Sequence, residues 1–186
     1  GGVSPINEQN RNLLECLRKE LLSRNIVTPI YWGNRNSHPF FAEIVQQMYK
    51  DGHRRVLSLV SSAYSSYSGC RQYRENLAKA LIDTDLSGLL SIDKIRPYFD
   101  HPGFIAPFAR GLSQVLERLK SDGAPTSTTH IFFTTHSIPN SMAESSGPAK
   151  FCSNLQSQTY VAQHYAASRF IIEQVIDKFT YKVPQV

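Results

Sequence analysis

The residue with the clearest chemical potential is His136, which ends a run of β-branched and aromatic residues that turns at Pro139. The run, residues 129–135, predicts a buried strand. In an open parallel sheet, ligands bind outside the carboxyl ends of the strands, so this strand would place His136 at the mouth of a cleft. A neutral imidazole there can bind a divalent metal or accept a proton. A structural histidine with satisfied hydrogen bonds is the alternative.

Two further segments would contribute to such a cleft. A hydroxyl-rich loop, residues 61–68, follows another predicted strand. Its Tyr64 and Tyr67, with Tyr73 just beyond, would offer flat faces and hydroxyls to an aromatic, acidic ligand. The glycine-rich segment 1–4 leads into a helix N-terminus, which favours anions. Ordinary packing of a surface loop is the alternative for the tyrosines.

Several other kinds of site are excluded by their missing motifs. The chain has no GxGxxG after a strand, no phosphate-binding GxxxxGKS or GxxxxGKT loop, no GxSxG nucleophile elbow and no HExxH. Five more histidines lack metal-ligand spacing to His136, and they are interpreted as surface or capping residues: His38, His53, His101, His130 and His164.

Composition indicates a soluble globular protein, with 41% hydrophobic residues and a formal net charge of +5. The basic residues are scattered and form no nucleic-acid motif, so no nucleic-acid partner is expected. No apolar run approaches the roughly 20 residues that span a membrane, and no signal peptide is visible. The cysteines are odd in number and far apart, which favours reduced thiols in a cytoplasmic protein: Cys16, Cys70 and Cys152.

The elements that must position these residues alternate between strand and helix, which predicts an α/β fold with doubly wound parallel sheets. Strands are predicted at residues 28–32, 55–60, 92–96 and 129–135. Helices are predicted at residues 7–24, from Ser37 to about 51, at 70–82, from Asp100 onward, and near the end with Val161, Tyr165, Ile172 and Val175 facing inward.

A segment rich in Ser, Gly, Pro and Thr, residues 121–128, predicts a domain boundary near residue 125. Residues 1–125 would form one domain. Residues 126–186 would begin a second, with too few elements for a core of their own. The chain starts without Met and without the hydrophobic first strand of a parallel sheet, so we expect it to belong to something longer.

Four sequence blocks occur together in one order: GGVSPIN at residues 1–7, YWGNRN at 31–36, SAYSSYSGCRQYREN at 62–76 and TTHSIP at 134–139. Together they closely resemble the ferrochelatase family, in its actinobacterial coproporphyrin type. SGP at residues 146–148 and YVAQH at 160–164 agree with that resemblance. It runs over essentially the whole chain.

The resemblance implies a two-domain, Rossmann-like chelatase that inserts Fe(II), as substrate, into coproporphyrin III in haem synthesis. It implies that His136 is the catalytic, metal-site histidine and that Ser4 and Tyr73 contact the porphyrin. A porphyrin-binding, cytoplasmic monomer is expected. The family's first strand, with a tyrosine that can ligate the product iron, would precede Gly1. Its C-terminal half, with a glutamate opposite the histidine, would follow Val186.

Some actinobacterial members of this family carry a 2Fe-2S cluster that is held mainly by C-terminal cysteines. Cys152 lies in a corresponding region, and a single thiol does not decide whether a cluster is present. The alternatives for function are a protoporphyrin IX ferrochelatase or another tetrapyrrole chelatase, such as a cobalt chelatase acting on a sirohydrochlorin. From a different class, a non-catalytic tetrapyrrole carrier also stays open.

Overall fold

The computed structural model describes residues 4–125, 128–146 and 159–176. The chain divides into two compact units, each of which is discontinuous in sequence. The first unit comprises Gly1–Val56 and Asn76–Asp93, and the second comprises Leu57–Glu75 and Lys94–Val186. Cys152, the thiol considered for an iron–sulfur cluster, lies outside the described residues.

The described residues form six α-helices and two short strands. The helices are α1 Ile6–Ser23, α2 Phe41–Lys50, α3 Gln72–Asp83, α4 Pro102–Ser121, α5 Asn140–Glu144 and α6 Thr159–Ile176; the strands are β1 Arg55–Ser58 and β2 Ser91–Lys94. The strands pair in parallel, because the amides of Ser91 and Ile95 donate to the carbonyls of Arg54 and Ser58, each at 2.9 Å. Helices with a small parallel sheet are compatible with the predicted α/β class. In these ranges, none of the helices is both long and apolar enough to cross a membrane.

The strand predictions are right in part. β1 falls inside the predicted segment 55–60 and β2 overlaps the predicted segment 92–96, starting one residue earlier, but residues 28–32 and 129–135 form no strand. Burial is also lower than predicted, since Leu57 is 67% exposed and Phe132 is 85% exposed. A β-branched run becomes a buried strand only when neighbouring strands pair with it and helices cover its faces. Among the described residues no strand pairs with 129–135, and Ile131 is its one residue packed against the core of α4 and α6.

The helix predictions succeed where the signals are local. The predicted helix at residues 7–24 is confirmed as α1, and α4 begins at Pro102, where His101 Nδ1 accepts a hydrogen bond from the Gly103 amide at 3.0 Å. The prediction of Ser37 as an N-cap is wrong. α2 begins later, at Phe41, because the Glu43 carboxylate accepts the Phe40 amide hydrogen at 3.1 Å and so favours that start.

Each unit has its own apolar core. In the first unit, Val45 of α2 packs with Ala80, Leu86 and Leu90. In the second unit, α4 and α6 pack against each other through buried Ile105, Ala109, Leu116, Ala167, Ile171 and Val175. The predicted inward position of Tyr165 is wrong, because Tyr165 is 66% exposed. The core face of α6 is instead formed by Ala167, Ile171 and Val175, which lie four residues, or about one helical turn, apart.

Candidate active site

The hydroxyl-rich loop after β1 packs into the second unit. Ser65 and Ser66 are only 1% and 5% exposed. Ser66 Oγ accepts a hydrogen bond from the Gly69 amide at 2.9 Å and caps a π-helical turn, Tyr67–Arg71, that continues into α3. Glycine suits position 69, because a Cβ there would lie 2.6 Å from Ser62 Oγ and 2.9 Å from Ser66 Oγ, so that a serine hydroxyl would have to move. The serines of this loop are therefore part of the packed interior, whereas the roles of Tyr64, Tyr67 and Tyr73 stay predictions.

A buried glutamine of α6 holds the middle of this loop. The Gln163 side-chain oxygen accepts the Ser65 amide hydrogen at 2.6 Å, and its side-chain nitrogen donates to Ser65 Oγ at 2.9 Å. Gln163 is 9% exposed, so both ends of the contact are buried. Buried polar groups are stable only when they are paired, and here each side chain satisfies the other. The contact fixes the loop against α6.

The segment that carries His136 runs without regular secondary structure into α5. Ile131 packs against the core of the second unit. At the far end, the amides of Met142 and Ala143 donate to the Pro139 carbonyl at 2.9 and 3.2 Å, which starts α5. Between these two anchors His136 is exposed. Its imidazole is therefore accessible to a ligand.

Two residues one turn apart on α6 contact the His136 segment. The Tyr160 hydroxyl donates to the His136 carbonyl at 3.0 Å and lies 3.2 Å from Thr135 Oγ1. His164 Nε2 lies 3.0 Å from the same Thr135 oxygen, and its ring stacks on Tyr64 with centroids 3.7 Å apart. The interpretation of His164 as a surface or capping residue is therefore wrong. It is half-buried between the loop and the His136 segment.

Burial shifts the pKa of two residues in this cluster. It lowers the pKa of His164, because the imidazolium form loses hydration. It also raises the pKa of Tyr64, and the nearby Tyr160 hydroxyl adds to that rise. A neutral His164 keeps one ring nitrogen as donor and one as acceptor, so it can pair with the Thr135 hydroxyl in either direction.

The loop, the π-helical turn, the His136 segment and α6 line an open cavity of about 300 Å³ within the second unit. Its lining consists of Ser61, Ser62, Tyr64, Ser66, Ser68, Gly69, Tyr73, His136, Ile138 and Tyr160. The cavity thus brings together two of the predicted site residues, His136 and Tyr73. It combines one imidazole with phenol and serine hydroxyls, a set of groups able to bind an acidic, aromatic ligand. The roles of the two residues toward metal and porphyrin stay predictions.

Ser4, the third predicted site residue, belongs to the first unit. It is exposed, and its hydroxyl accepts a hydrogen bond from the Ile6 amide at 3.4 Å, at the start of α1. Its predicted contact with the porphyrin also stays a prediction. The first unit has a cavity of its own, of about 430 Å³, between the end of α1 and residues 26–31. That cavity is mainly aliphatic and holds none of the predicted site residues.

His136 does not belong to a preformed metal cluster in the described part of the chain. Residues 4–125, 128–146 and 159–176 contain no group of three or more His, Cys, Asp or Glu side chains that could hold a metal ion. A metal ion at His136 would therefore take its other ligands from water, from a substrate or from residues outside these ranges. Of the cysteines described, Cys16 is exposed and Cys70 is buried.

Sequence reasoning missed three residues that organise this site: Tyr160, Gln163 and His164. Their spacing is i, i+3 and i+4, which places them on one face of a helix. Three hydrogen-bonding side chains on one face of the helix were the available signal. The spacing alone does not reveal their partners, because Gln163 bonds a residue 98 positions away.

Comparisons with known proteins agree with the blocks found in the sequence. The family model described as Ferrochelatase matches residues 1–184. The chain is 48% identical over 180 residues to the coproporphyrin III ferrochelatase of Streptomyces griseus, covering 94% of this chain and 46% of that protein. For the protein of the same name from Streptomyces coelicolor the identity is 48% over 183 residues, with 96% and 47% covered.

A Ferrochelatase from Rhodopirellula baltica is 47% identical over 144 residues, which cover 77% of this chain and 40% of that relative. The chain thus spans about half the length, or less, of these curated relatives. Because the family model matches almost every residue, the chain belongs to the ferrochelatase family.

Proposed function

We propose that the complete protein inserts Fe(II), its metal substrate, into coproporphyrin III during haem synthesis. Relatives from two Streptomyces species bear the name of that activity. The observation that carries the proposal on this chain is the cavity shared by His136 and Tyr73. Iron insertion replaces the two pyrrole N–H protons of the macrocycle, so the site needs a group that handles metal or protons beside a surface that holds an aromatic ring.

His136 is the group proposed for the metal or the protons. A neutral imidazole can accept a pyrrole proton as a general base, and it is also a good ligand for iron. Exposure of His136 at the cavity leaves it accessible for either step. The residues that contact its segment, Thr135, Tyr160 and His164, include no carboxylate that would compete for an incoming cation.

Tyr73 and Ser4 are proposed to bind the propionate groups of the porphyrin. Removing a hydrogen bond to a charged group costs roughly 1.5–3 kcal/mol, which corresponds to about ten-fold or more in affinity. Tyr73→Phe keeps the ring and removes only the hydroxyl, and Ser4→Ala does the same for the serine. We expect each variant of the complete protein to bind coproporphyrin about ten-fold more weakly in fluorescence quenching. Unchanged affinity in both would count against these contacts.

The cavity's size limits how much of the substrate these residues can surround. At about 300 Å³ it is at the small end of pockets that hold drug-sized ligands, which range over roughly 300–1,000 Å³. A tetrapyrrole would therefore place one edge in this cavity and extend beyond it. Further contacts to the macrocycle are expected from residues outside the cavity lining.

The finer architecture belongs to the same proposal. A Rossmann-like, doubly wound, two-domain chelatase, divided into residues 1–125 and 126–186, is proposed from family membership alone. The compact units described above divide the chain elsewhere, since α4 and α6 share one core. A cytoplasmic monomer is proposed on the same basis. A 2Fe-2S cluster that uses Cys152 stays a prediction, since the described residues offer no thiol cluster for it.

The central test is His136→Ala in the complete protein, with Fe(II) and coproporphyrin III mixed under anaerobic conditions. Loss of the free-porphyrin absorption spectrum measures insertion. Loss of a positioned acid–base group typically lowers a rate by about 10²–10⁴-fold, and that is the decrease expected here. His130→Ala is the matched control, because His130 is exposed, lies in the same segment and does not line the cavity.

Several outcomes separate the alternatives. Near-normal insertion by a folded His136→Ala protein, with its fold checked by circular dichroism, would refute the role of His136. Faster insertion into protoporphyrin IX than into coproporphyrin III would overturn the substrate assignment. Tight porphyrin binding without insertion by the wild-type protein would identify a tetrapyrrole carrier instead.

A further inference from the structure

The described part of the chain gives the His136 segment few contacts. Among the described residues, no backbone–backbone hydrogen bond involves residues 129–138. Ile131 anchors the start of the segment in the apolar core. Near His136 itself, the contacts with distant parts of the chain are hydrogen bonds to side chains of α6. The placement of the imidazole therefore depends on a small number of side chains.

Tyr160 forms a hydrogen bond with His136 itself. Its hydroxyl donates to the His136 carbonyl at 3.0 Å and lies 3.2 Å from Thr135 Oγ1. The same threonine oxygen is 3.0 Å from His164 Nε2, so two residues of α6 meet at one point of the segment. A tyrosine is well suited to hold this point of the segment, because its hydroxyl lies at the end of a rigid ring and its side chain has only two rotatable bonds.

α6 is a stable base for this contact. Ala167, Ile171 and Val175 bury one face of the helix in the core of the second unit. Gln163 bonds the hydroxyl-rich loop from the same helix. The helix thus holds the two sides of the cavity, the loop through Gln163 and the His136 segment through Tyr160.

We propose that Tyr160 is a positioning residue for His136, and that its hydroxyl sets the direction in which the imidazole enters the cavity by holding the His136 carbonyl. The inference rests on the proposed function and deepens it. Productive geometry in an active site must be held to about 0.5 Å, and a displacement of about 1 Å can cost roughly 10²-fold in rate. A segment with no backbone–backbone hydrogen bond among the described residues needs such side-chain contacts to meet that requirement.

The test compares Tyr160→Phe with Tyr165→Phe in the complete protein. Tyr160→Phe keeps the ring beside Tyr64 and His164 and removes only the hydroxyl. Tyr165→Phe is the matched control, since Tyr165 lies on the same helix and is 66% exposed. Loss of one neutral hydrogen bond should lower kcat for iron insertion about 3- to 10-fold, with KM for coproporphyrin unchanged. The control should keep both constants.

A second measurement does not depend on turnover. In isotopically labelled complete protein, the ¹³C resonance of the His136 carbonyl should shift in Tyr160→Phe and stay in place in Tyr165→Phe. An unchanged resonance overturns the inference at any level of activity. A raised KM with normal kcat also overturns it, because Tyr160 would then bind the porphyrin and not position His136.

The two measurements distinguish failure of the inference from failure of the proposed function. If the wild-type protein inserts no iron, the proposed function is wrong, and the carbonyl resonance alone decides whether Tyr160 holds His136. If the wild-type protein is active and Tyr160→Phe matches it in kcat, the positioning role is wrong and the proposed function stands.

Discussion

Replacing Gln163 with methionine tests whether one buried contact holds the hydroxyl-rich loop. Methionine has nearly the same length and volume as glutamine, so packing is largely kept while both hydrogen bonds to Ser65 are lost. The Ser65 amide then becomes a buried donor without an acceptor, since Ser65 is 1% exposed. An orphaned buried donor costs about 1–3 kcal/mol, and the Ser65 hydroxyl can rotate to recover part of its own loss.

The expected destabilisation is therefore about 2–3 kcal/mol, a large share of the roughly 5–15 kcal/mol that stabilises a domain. The most direct assay is hydrogen exchange at the Ser65 amide. A loss of about 2 kcal/mol corresponds to exchange faster by roughly 30-fold. Urea unfolding of the complete protein should show a lower midpoint in the same variant.

Gln174→Met is the matched control, because Gln174 is exposed on the same helix. Exposed substitutions away from special features usually change stability by less than about 0.5 kcal/mol. If Gln163→Met and Gln174→Met gave the same exchange rate at Ser65, the loop would be held by something other than this glutamine. The reasoning from burial and pairing would then be wrong.

Two further predictions concern the same cavity. Gly69→Ala places a Cβ 2.6 Å from Ser62 Oγ, so the free energy of unfolding should fall by about 1–3 kcal/mol. In Gly111→Ala, in α4, nothing lies within 4 Å of the new Cβ, so the free energy of unfolding should rise by up to about 1 kcal/mol. Thermal unfolding measures both changes. Burial lowers the folded-state pKa of His164 below its ordinary value of 6.5. The neutral side chain therefore contributes its full stability above pH 6.5. As pH falls from 6.5 toward the folded pKa, the unfolded chain binds the proton first and that stability is lost. The wild-type melting temperature should thus fall more between pH 7.5 and 5.5 than that of His164→Gln, with His130→Gln as control; an equal fall in all three proteins would contradict it.

The sequence by itself determined the features that depend on neighbouring residues. Apolar residues at helical spacing predicted α1, and the Asp100–Pro102 run predicted the start of α4, because periodicity and capping act within a few positions. The ordered blocks around Tyr73 and His136 led to the ferrochelatase family, which the family model confirms. Their shared cavity is consistent with the predicted cleft.

Strand extents could not be obtained in this way. The β-branched run at 129–135 has the composition of a strand, but a strand exists only when another backbone bonds to it. Among the described residues no such partner is present, so Phe132 is largely exposed where burial was predicted. Strand formation depends on distant segments, and local composition does not report on those.

Only the tertiary structure decided how the site is assembled. Gln163 and Ser65 are 98 residues apart, and His164 is 29 residues from Thr135, yet each pair is in hydrogen-bonding contact. These partners are chosen by the packing of α6 on α4 and by the path of the loop after β1. The histidine that looked like a surface residue is half-buried for that reason. A side chain's partner depends on which elements the core brings together, and the same Tyr-x-x-Gln-His pattern on an isolated helix would face water.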